Sequence, residues 1–491
     1  MQVNINRHDI IFSPDPKRII ARFFYLSDER GVDVIRRVMT MSENEVAIVI
    51  NQVLRNFSKR HRNISQVFEK HFEKVGHLFD KLKIDADNLS LYRKLLIGSY
   101  FTHEFSIESA ALFNPSIVEH PDQTELEQGE KRIVLSFRAT GEGHISSLVF
   151  RSGILDQNNN MTLEPAGQLL DQAYSSVKYV YKKDFFIERL KETLEFNHKI
   201  SPESLLNKLN FEFTYGELKY YIVNLKKKSK YTKAQKLILD EILWLALSHY
   251  EIEFSLDTSL SERVIFPVSK SEKNGIEDAR FVRFTDNNGE ITYYATYTAY
   301  DGMVILPKLI ETQSFYKFKS SAIHGEISSN KGMAIFPRKI NGKYAMLCRI
   351  DGVNNYIAFS DNINIWRTAK LLQEPKYPWE FIQIGNSGSP LETKEGWLVI
   401  THAVGAMREY VLGAILLDLD NPEKLIGRLK TPLMIPNSEE REGYVPNVIY
   451  SCGEIIHNNH VVIPYAMSDY ASTYATINLT ELIAELKNPS N

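Results

Sequence analysis

Two kinds of hydrophobic spacing divide this chain. Over about 1–105, apolar residues recur every three or four positions, which predicts amphipathic helices. One of these helices begins at Ser42 and Glu45, a pair that forms a capping box. A second helical pattern fills about 166–253. Elsewhere, short runs rich in β-branched and aromatic residues alternate with turn-forming residues, which predicts strands.

The strand-like runs fall into five groups, at about 111–151, 275–300, 333–359, 387–418 and 445–478. Asn341-Gly342, between two runs of the third group, favours a two-residue hairpin turn. Short antiparallel sheets that recur every roughly 40 to 60 residues are typical of a β-propeller, whose blades bury their faces against their neighbours. We therefore predict a mainly β fold. It is a five-bladed β-propeller over 106–491, with a helical N-terminal extension at 1–105 and a helical insertion at about 166–253.

The stretch Gly275-Ile-Glu-Asp-Ala-Arg280 offers the strongest candidate chemistry. It leads into an apolar strand, and after Asp286-Asn-Asn-Gly289 an aromatic and β-branched run returns, which predicts a hairpin. Glu277, Asp278 and Arg280 then lie at the start of a strand, where a sheet holds them and a ligand can reach them. From spacing alone, a surface ion pair that caps the strand explains these residues equally well.

A propeller would bring polar residues from distant segments into one pocket, because the innermost strand of each blade lines a central channel. Residues that could meet there are Asn114, Arg138, Asp278, Arg349, His402 and Asp469. Arg138 can clamp a substrate oxygen or only pair with Glu142, and its position in the sequence does not separate the two.

Composition narrows the class of protein. A chain of 491 residues exceeds a typical single core, so several domains or a large repeat architecture are expected. The net charge of −3 gives no field that attracts nucleic acid or an anionic membrane. Cys348 and Cys452 lie in apolar runs, which predicts buried free thiols. The histidines are scattered, so we predict neither a metal site nor another cofactor.

No segment approaches the roughly 18 apolar residues of a membrane span. The first residues lack a charged region followed by an apolar one, as a secretory signal would have. We therefore expect a cytoplasmic protein.

Ordered motifs along the strand regions resemble those of the mannoside phosphorylases and mannosidases of glycoside hydrolase family 130. The motifs are Phe113-Asn-Pro115, Gly-x-Glu-Asp-x-Arg at 275–280, Tyr-Tyr-x-Thr-Tyr-Thr-Ala-Tyr at 293–300, Gly-Trp-Leu-Val-Ile-Thr-His at 396–402 and Val448-Ile-Tyr-Ser-Cys-Gly453. The resemblance covers about 111–154 and 262–480. It leaves the N-terminal helices and the insertion unexplained.

The resemblance implies a five-bladed propeller that cleaves β-mannosides with inversion. By this likeness Asp278 is the general acid, which in the family protonates the glycosidic oxygen through the 3-hydroxyl of the mannosyl ring. The residues that would bind the mannosyl group are Asn114, Arg138, Glu277, Arg280 and Asp469. The expected partner is a β-linked manno-oligosaccharide, and the apolar stripes of the helical parts fit a lid over the channel or a homo-oligomer contact.

The attacking group is phosphate or water. Asn330, Arg349 and His402 match positions that resemble the family's phosphate site, and arginine suits bidentate contact with a phosphate dianion. Ser329 and Gln383 stand where the family usually has basic residues.

The run Gly385-Asn-Ser-Gly-Ser-Pro390 also departs from the family's Gly-Ala-Gly-Pro-Pro-Pro-like run. Arg408 and Lys331 lie nearby in the sequence and could replace the missing cations.

Hydrolysis would need a carboxylate that activates water on the side opposite Asp278. Glu326, Glu380 and Glu409 are candidates, and each is also explained as a surface residue. We predict phosphorolysis to α-mannose 1-phosphate with inorganic phosphate as co-substrate, because a cell retains a charged sugar phosphate. Hydrolysis is the alternative, followed by a glycan-binding propeller without catalysis.

Overall fold

The computed structural model describes residues 3–176, 180–193, 201–227, 231–247, 249–300, 302, 305–328 and 330–488. Within these residues the fold is mainly β, with thirty strands and ten α-helices. No helix among them is long and apolar enough to cross a membrane. Cys348 and Cys452 are buried and free, as the sequence predicts.

The helices occur near the N-terminus, in the region of about 166–253, and at the C-terminal end. They are Asp28–Met39, Glu43–Phe57, Ile64–Lys74, Gly76–Leu82 and Leu91–Tyr100, then Lys183–Thr193, Pro202–Leu206, Tyr215–Lys226 and Lys233–Leu247, and finally Leu479–Lys487. The predicted capping box is confirmed, because Ser42 Oγ accepts from the Glu45 amide and the Glu45 carboxylate accepts from the Ser42 amide.

The five N-terminal helices share an apolar core that includes Ile35, Val46 and Leu96. Two of these helices touch through their backbones, since a Cβ added to Gly98 would lie 1.9 Å from the carbonyl oxygen of Phe68. The strand Ile19–Phe23, which precedes these helices, pairs with Thr102–Ser106, which follows them, in a two-stranded antiparallel sheet.

The strands around Asn114 and Asp278 form one twelve-stranded sheet, not two separate sheets. Its main strands are Ala111–Glu119, Lys131–Thr140 and Ser146–Leu155, then Gly275–Thr285, Ile291–Tyr300, Ile305–Thr312 and Lys317–Ala322; its shorter ones are Met161–Leu163, Asp171–Gln172, Tyr174–Ser176, Tyr250–Glu253 and Arg263–Ile265. The two groups meet where Gly275 pairs with Ser146 in parallel. A side chain at Gly275 would prevent this contact, because an added Cβ would lie 2.9 Å from the Ser146 amide nitrogen.

Three further sheets follow along the chain. The first contains Ala334–Ile335, Tyr344–Cys348, Asn355–Ser360 and Ala369–Gln373; the second contains Gln383–Asn386, Leu391–Thr393, Gly396–Val404, Tyr410–Leu417 and Leu425–Arg428; the third contains Ile5–Arg7, Ile449–Tyr450, Ile455–His457, His460–Met467 and Ala471–Asn478. A small sheet pairs Val180–Lys182 with Glu212–Thr214. The predicted Asn341-Gly342 turn is confirmed, with φ of 50° and 80° at the two residues.

Alternate residues of one strand enter different cores, because successive side chains point to opposite faces of a sheet. Trp397 packs against Phe336, which follows the strand Ala334–Ile335 of the preceding sheet, whereas Leu398 shares a core with Ile463 of the following sheet. Shared cores of this kind join the groups 111–155 to 275–322, 275–322 to 334–373, 334–373 to 383–428, 383–428 to 449–478, and 449–478 to 111–155.

The hairpin predicted after Gly275 is confirmed, with Gly275–Thr285 paired to Ile291–Tyr300. The predicted position of its charged residues needs correction. The strand already begins at Gly275, so Glu277 and Arg280 lie inside it, and a register shift between them expels Asp278 from the regular pairing.

Candidate active site

Two β-bulges turn Asn114 and Asp278 toward each other. Each residue lies at a register shift in its strand, and both have left-handed backbones, with φ of 50° at Asn114 and 53° at Asp278. A non-glycine residue pays about 1–2 kcal/mol for this conformation, and bulges commonly re-aim side chains beside active sites. Asn114 Nδ2 donates a hydrogen bond to Asp278 Oδ1 at 2.7 Å. The two left-handed backbone positions therefore place the side chains of Asn114 and Asp278 within hydrogen-bonding distance of each other.

A chain of ion pairs surrounds this couple. Arg138 Nη2 donates to Glu277 Oε1 at 2.8 Å, and Lys331 Nζ donates to Glu277 Oε2 at 2.7 Å. Arg138 Nη1 also lies 3.5 Å from Asp278 Oδ1, and its Nε donates to Ser146 Oγ at 2.9 Å. Arg138 therefore pairs with Glu277 and not with Glu142, the protein partner considered from the sequence.

The two aspartates of the site have opposite pKa shifts. Burial raises the pKa of Asp278, but the charges of Arg138, Arg280 and Lys331 and the Asn114 hydrogen bond outweigh it, so the pKa lies below its ordinary value. Burial and the charge of Asp278 raise the pKa of Asp469 to about 6. In the ligand-free protein Asp278 is the ionised carboxylate, and Asp469 is the carboxyl group closer to protonation at neutral pH.

Arg280 donates hydrogen bonds to two backbone carbonyl oxygens, one of them that of Asp278, and to one tyrosine hydroxyl. Its Nη1 donates to the Asp278 carbonyl at 3.0 Å, its Nε to the Ser387 carbonyl at 2.8 Å, and its Nη2 to Tyr450 Oη at 2.6 Å. The side chain is buried, and it joins its own strand to Tyr450 in a strand of another sheet and to Ser387, which follows the strand Gln383–Asn386 of a third sheet. Arg280 thus fixes the backbone that carries Asp278.

Arg349 and His402 form a second polar couple. Arginine has only donors, so Arg349 Nη1 donates to His402 Nε2 at 3.2 Å, and His402 Nδ1–H donates to the Asn386 carbonyl at 3.1 Å. Burial and the charges of Arg349 and Arg280 lower the pKa of His402 well below its usual range, so the ring is neutral. Gly385 leaves room for the ring, because an added Cβ would lie 2.9 Å from His402 Cε1.

Tyr450 connects the two couples. Its ring centroid lies 4.8 Å from that of His402, and its hydroxyl accepts from Arg280. Tyr450 has no signal in the sequence that predicts a role, apart from its place in the motif at 448–453. Ser146 and Ser387 were also missed, since an isolated serine or a backbone carbonyl carries no pattern.

The other residues proposed around phosphate differ in exposure and in their neighbours. Asn330 is half-buried, precedes Lys331, and lies beside the turn that contains Gly352. Arg408 is exposed on a left-handed turn with φ of 58°, and its charge acts on Asp469. Ser329 lies outside the described residues. Gln383 pairs with Val404 within a sheet.

The three carboxylates considered as bases have other partners. Glu326 has a side chain that is 67% exposed and lies 3.8 Å from Arg367. Glu380 is buried and accepts from two backbone amides and from Arg428. Glu409 pairs with Arg441 at 2.9 Å. Among the described residues, no group of three or more His, Cys, Asp or Glu side chains is arranged to hold a metal ion.

This combination of carboxylates, guanidinium groups and an amide on rigid strands has the chemistry that suits a small polar ligand. A family model described as beta-1,4-mannooligosaccharide phosphorylase matches residues 225–488, more than half of the chain. The chain belongs to glycoside hydrolase family 130.

Two curated relatives match parts of the chain. A 1,2-beta-oligomannan phosphorylase of Thermoanaerobacter sp. (strain X514) is 33% identical over 230 residues, which are 45% of this chain and 75% of the relative. A beta-1,2-mannobiose phosphorylase of Listeria innocua serovar 6a is 29% identical over 255 residues, 49% of this chain and 70% of the relative. Among solved structures, the Listeria innocua beta-1,2-mannobiose phosphorylase with beta-1,2-mannobiose covers 78% of this chain and 93% of that chain, at 21% identity and a TM-score of 0.45.

Proposed function

We propose that this protein cleaves β-mannosidic linkages in manno-oligosaccharides by phosphorolysis, with inversion, to give α-mannose 1-phosphate. The observation that carries the proposal is the juxtaposition of an ionised carboxylate, Asp278, with the Arg349–His402 couple through Arg280 and Tyr450. Relatives named beta-1,2-mannobiose and beta-1,4-mannooligosaccharide phosphorylases support the same reaction.

We also propose a five-bladed propeller as the arrangement of the β groups. Five shared cores join the groups in order, and the last one joins the group at 449–478 back to the group at 111–155. Such a ring is what closure of a propeller requires. In this organisation the catalytic domain spans 106–491, the helical extension 1–105, and the insertion about 166–253.

Asp278 acts in this proposal as the general acid, through the 3-hydroxyl of the mannosyl ring. The ligand-free site keeps Asp278 ionised, so the reaction needs a change that raises its pKa. Phosphate bound beside Arg349 adds negative charge, and a like charge favours the protonated carboxyl group. Asp278 would therefore become a competent acid only when phosphate is bound.

The mannosyl hydroxyls would be bound by Asn114, Arg138 and Asp469. The Oδ1 atom of Asn114 is buried without a partner among the described residues, so it can accept from a hydroxyl. Glu277 holds Arg138 and Lys331 in place by ion pairs on both of its oxygens, and Arg280 is a positioning residue. A site that pairs its charged groups with hydroxyls rejects sugars that lack them.

The phosphate would be bound by Arg349, His402 and Asn330. Arg349 Nε has no hydrogen-bond partner among the described residues and can donate to a phosphate oxygen. Lys331 already pairs with Glu277, and Arg408 lies toward Asp469. Hydrolysis is not favoured, because Glu326, Glu380 and Glu409 each face other partners.

The test is product analysis with β-1,2- and β-1,4-linked manno-oligosaccharides, with and without inorganic phosphate. We expect α-mannose 1-phosphate, seen by phosphorus NMR, only when phosphate is present, and none from Asp278→Asn. Free mannose formed at the same rate without phosphate would make the protein a hydrolase. Turnover that survives Asp278→Asn would overturn the assigned acid.

A further inference from the structure

Two turns beside the proposed mannosyl-binding residues form one side of the rim of the site. Arg138 lies shortly before the turn at 141–145, and Asp469 lies in the turn at 468–470. The second turn accepts a hydrogen bond at 2.9 Å from the amide of Leu112, on the strand paired with that of Arg138. The two turns therefore border the same part of the site.

Two exposed rings meet at these turns. His144 belongs to the turn at 141–145, and Tyr444 belongs to the loop that leads into the strand Ile449–Tyr450. Their ring centroids lie 5.8 Å apart, with 32° between the ring planes. Both residues are exposed to solvent, Tyr444 by 72%. We call His144 and Tyr444 the rim pair.

His144 is held close to Arg138. Ser146, which follows shortly after His144, accepts from Arg138 Nε at 2.9 Å. The turn that contains His144 is closed by a hydrogen bond from the Gly141 amide to the Ile145 carbonyl at 3.1 Å. His144 is therefore one short turn away from the guanidinium group that would bind the mannosyl hydroxyls.

Tyr444 is held close to Asp469. The Val445 amide donates to the Ser468 carbonyl at 3.0 Å, and Ser468 directly precedes Asp469. On the other side of Tyr444, a Cβ added to Gly443 would lie 2.5 Å from the same carbonyl oxygen. Glycine thus permits the loop to touch the turn on both sides of Tyr444, and this contact fixes the backbone that carries the ring.

The backbone of these turns is strained. His144, Ser468 and Asp469 have left-handed conformations, with φ of 57°, 49° and 54°. Non-glycine residues keep such conformations only where the surrounding structure enforces them, and they cluster at active sites and ligand clamps. Strain on both sides of the rim pair favours a binding role for the side chains that these turns carry.

The rim pair has the chemistry that binds a sugar ring. One face of a pyranose carries mainly C–H groups and packs on aromatic rings, whereas its hydroxyls bond to polar atoms. Tyrosine offers a rigid apolar ring with a polar hydroxyl at its end, so it gives contact area at a small cost in entropy. The ring nitrogens of histidine can donate to or accept from a hydroxyl.

The occupant follows from continuity with the proposed site. A chain whose terminal mannosyl group binds to Arg138 and Asp469 has its remaining sugars on the solvent side of these residues. The exposed rim pair borders that path. A protein seated on the same rings would cover the entrance of the site, so a sugar of the substrate is the occupant that agrees with turnover.

We propose that Tyr444 and His144 stack on a sugar ring of the leaving oligosaccharide, beyond the unit attached to the cleaved linkage. The protein therefore prefers chains of three or more mannosyl units to the disaccharide. This inference rests on the proposed phosphorolysis and adds a chain-length preference to it.

Initial rates with β-linked mannobiose and mannotriose, at saturating phosphate, test this preference. In the wild type, kcat/KM for mannotriose should exceed that for mannobiose by about fivefold or more, as one stacking contact predicts. Tyr444→Ala should lower the ratio of the two values by about fivefold, mainly through the KM for mannotriose, because stacking is lost. Tyr444→Phe keeps the ring and should retain the ratio within about twofold.

Tyr220→Ala is the matched control. Tyr220 is 75% exposed on the helix Tyr215–Lys226, far along the chain from the rim pair, and its removal should leave the ratio unchanged. His144→Ala should lower the ratio by about twofold, since imidazole offers less stacking area, and it decides the question if Tyr444→Ala does not fold. An unchanged ratio in Tyr444→Ala, or the same change in Tyr220→Ala, would overturn the proposal.

Binding to Asp278→Asn separates this proposal from the proposed reaction. Calorimetric titration of that variant with mannotriose should show binding that weakens by about fivefold when Tyr444→Ala is added. Equal kcat/KM for both chains in the wild type would refute the chain-length preference and leave phosphorolysis in place. No product from either chain, with binding that still depends on Tyr444, would refute the reaction and retain the rim pair as a glycan-binding surface.

Discussion

Two clusters of charged side chains involve strands of the twelve-stranded sheet, and they differ in how completely their hydrogen bonds are paired. In the first, Lys308 donates to Glu272 at 2.7 Å, and both side chains are fully buried. Tyr250 and Tyr297 also donate to Glu272, and two backbone amides bind its other oxygen. Every hydrogen-bonding position of this carboxylate is occupied by the protein itself.

The second cluster, around Asp278, is incompletely paired. Asn114 Oδ1 and Arg349 Nε have no partner among the described residues, and Asn114 and Asp278 both hold strained backbones. A protein gains no stability from such an arrangement, because unpaired buried groups and left-handed residues each cost free energy. The comparison favours a structural role for the complete network, and the incomplete one fits the ligand site proposed above.

The largest expected effect is on catalysis. Asp278→Asn should lower kcat/KM by about 10²- to 10⁴-fold, because it removes the proposed acid. The rate of α-mannose 1-phosphate formation measures it, and thermal unfolding should show a folded variant. A decrease in kcat/KM of less than tenfold would indicate that Asp278 has a structural role, like that of Glu272.

Removing a charge from the fully paired cluster around Glu272 should lower stability and leave catalysis unchanged. Lys308→Met leaves Glu272 buried without its counter-ion, which should cost about 3–5 kcal/mol of unfolding free energy. Chemical denaturation measures this loss, and activity per folded molecule should stay near that of the wild type. The double variant Lys308→Met/Glu272→Gln is the matched control and should recover part of the stability.

Removing a charge from the incomplete cluster should stabilise the protein. The folded-state pKa of Asp469, about 6, lies above its unfolded value of about 4. The native protein therefore holds a proton that the unfolded chain releases in this window, and stability falls as pH rises from about 4 to 6.

Asp469→Asn should remove that decline and add about 1–3 kcal/mol at pH 7. Unfolding free energies measured at pH 4 and pH 7 give the difference between the two proteins. An equal effect of the substitution at both pH values would show that the carboxyl group is not perturbed.

Arg349→Lys separates the phosphate side from the mannosyl side. Lysine cannot reproduce a planar, bidentate contact, so the KM for phosphate should rise about tenfold or more. The KM for the mannoside should change little. Initial rates over a matrix of both substrates measure the two values, and a selective rise for the mannoside would contradict the assignment.

The smallest expected effect concerns backbone strain. Asn114→Gly relieves the left-handed conformation, which should offset the lost hydrogen bond and change stability by no more than about 1 kcal/mol. Activity should still fall, because Asp278 loses the donor that orients it. Gly342→Ala is the comparison, since it introduces strain at a turn remote from the site and should lower stability without lowering kcat.

Some features of this protein follow from residues that are neighbours in the sequence. The capping box at Ser42, the Asn341-Gly342 turn and the hairpin from Gly275 to Tyr300 were all predictable, because their conformations depend on contacts a few residues apart. The importance of Asn114, Asp278 and His402 came from a resemblance between motifs, and local pattern alone left Asp278 equal between a cap and a site.

Other features depend on packing between distant segments. Asn114 meets Asp278 across 164 residues, Arg138 meets Glu277 across 139, and Arg280 meets Tyr450 across 170. The bulge that expels Asp278 and the fusion of two strand groups at Gly275 have no local signal. They arise where sheets pack against each other through their shared cores. This packing between distant segments determines which polar groups are hydrogen-bonded within the protein and which remain available to a ligand.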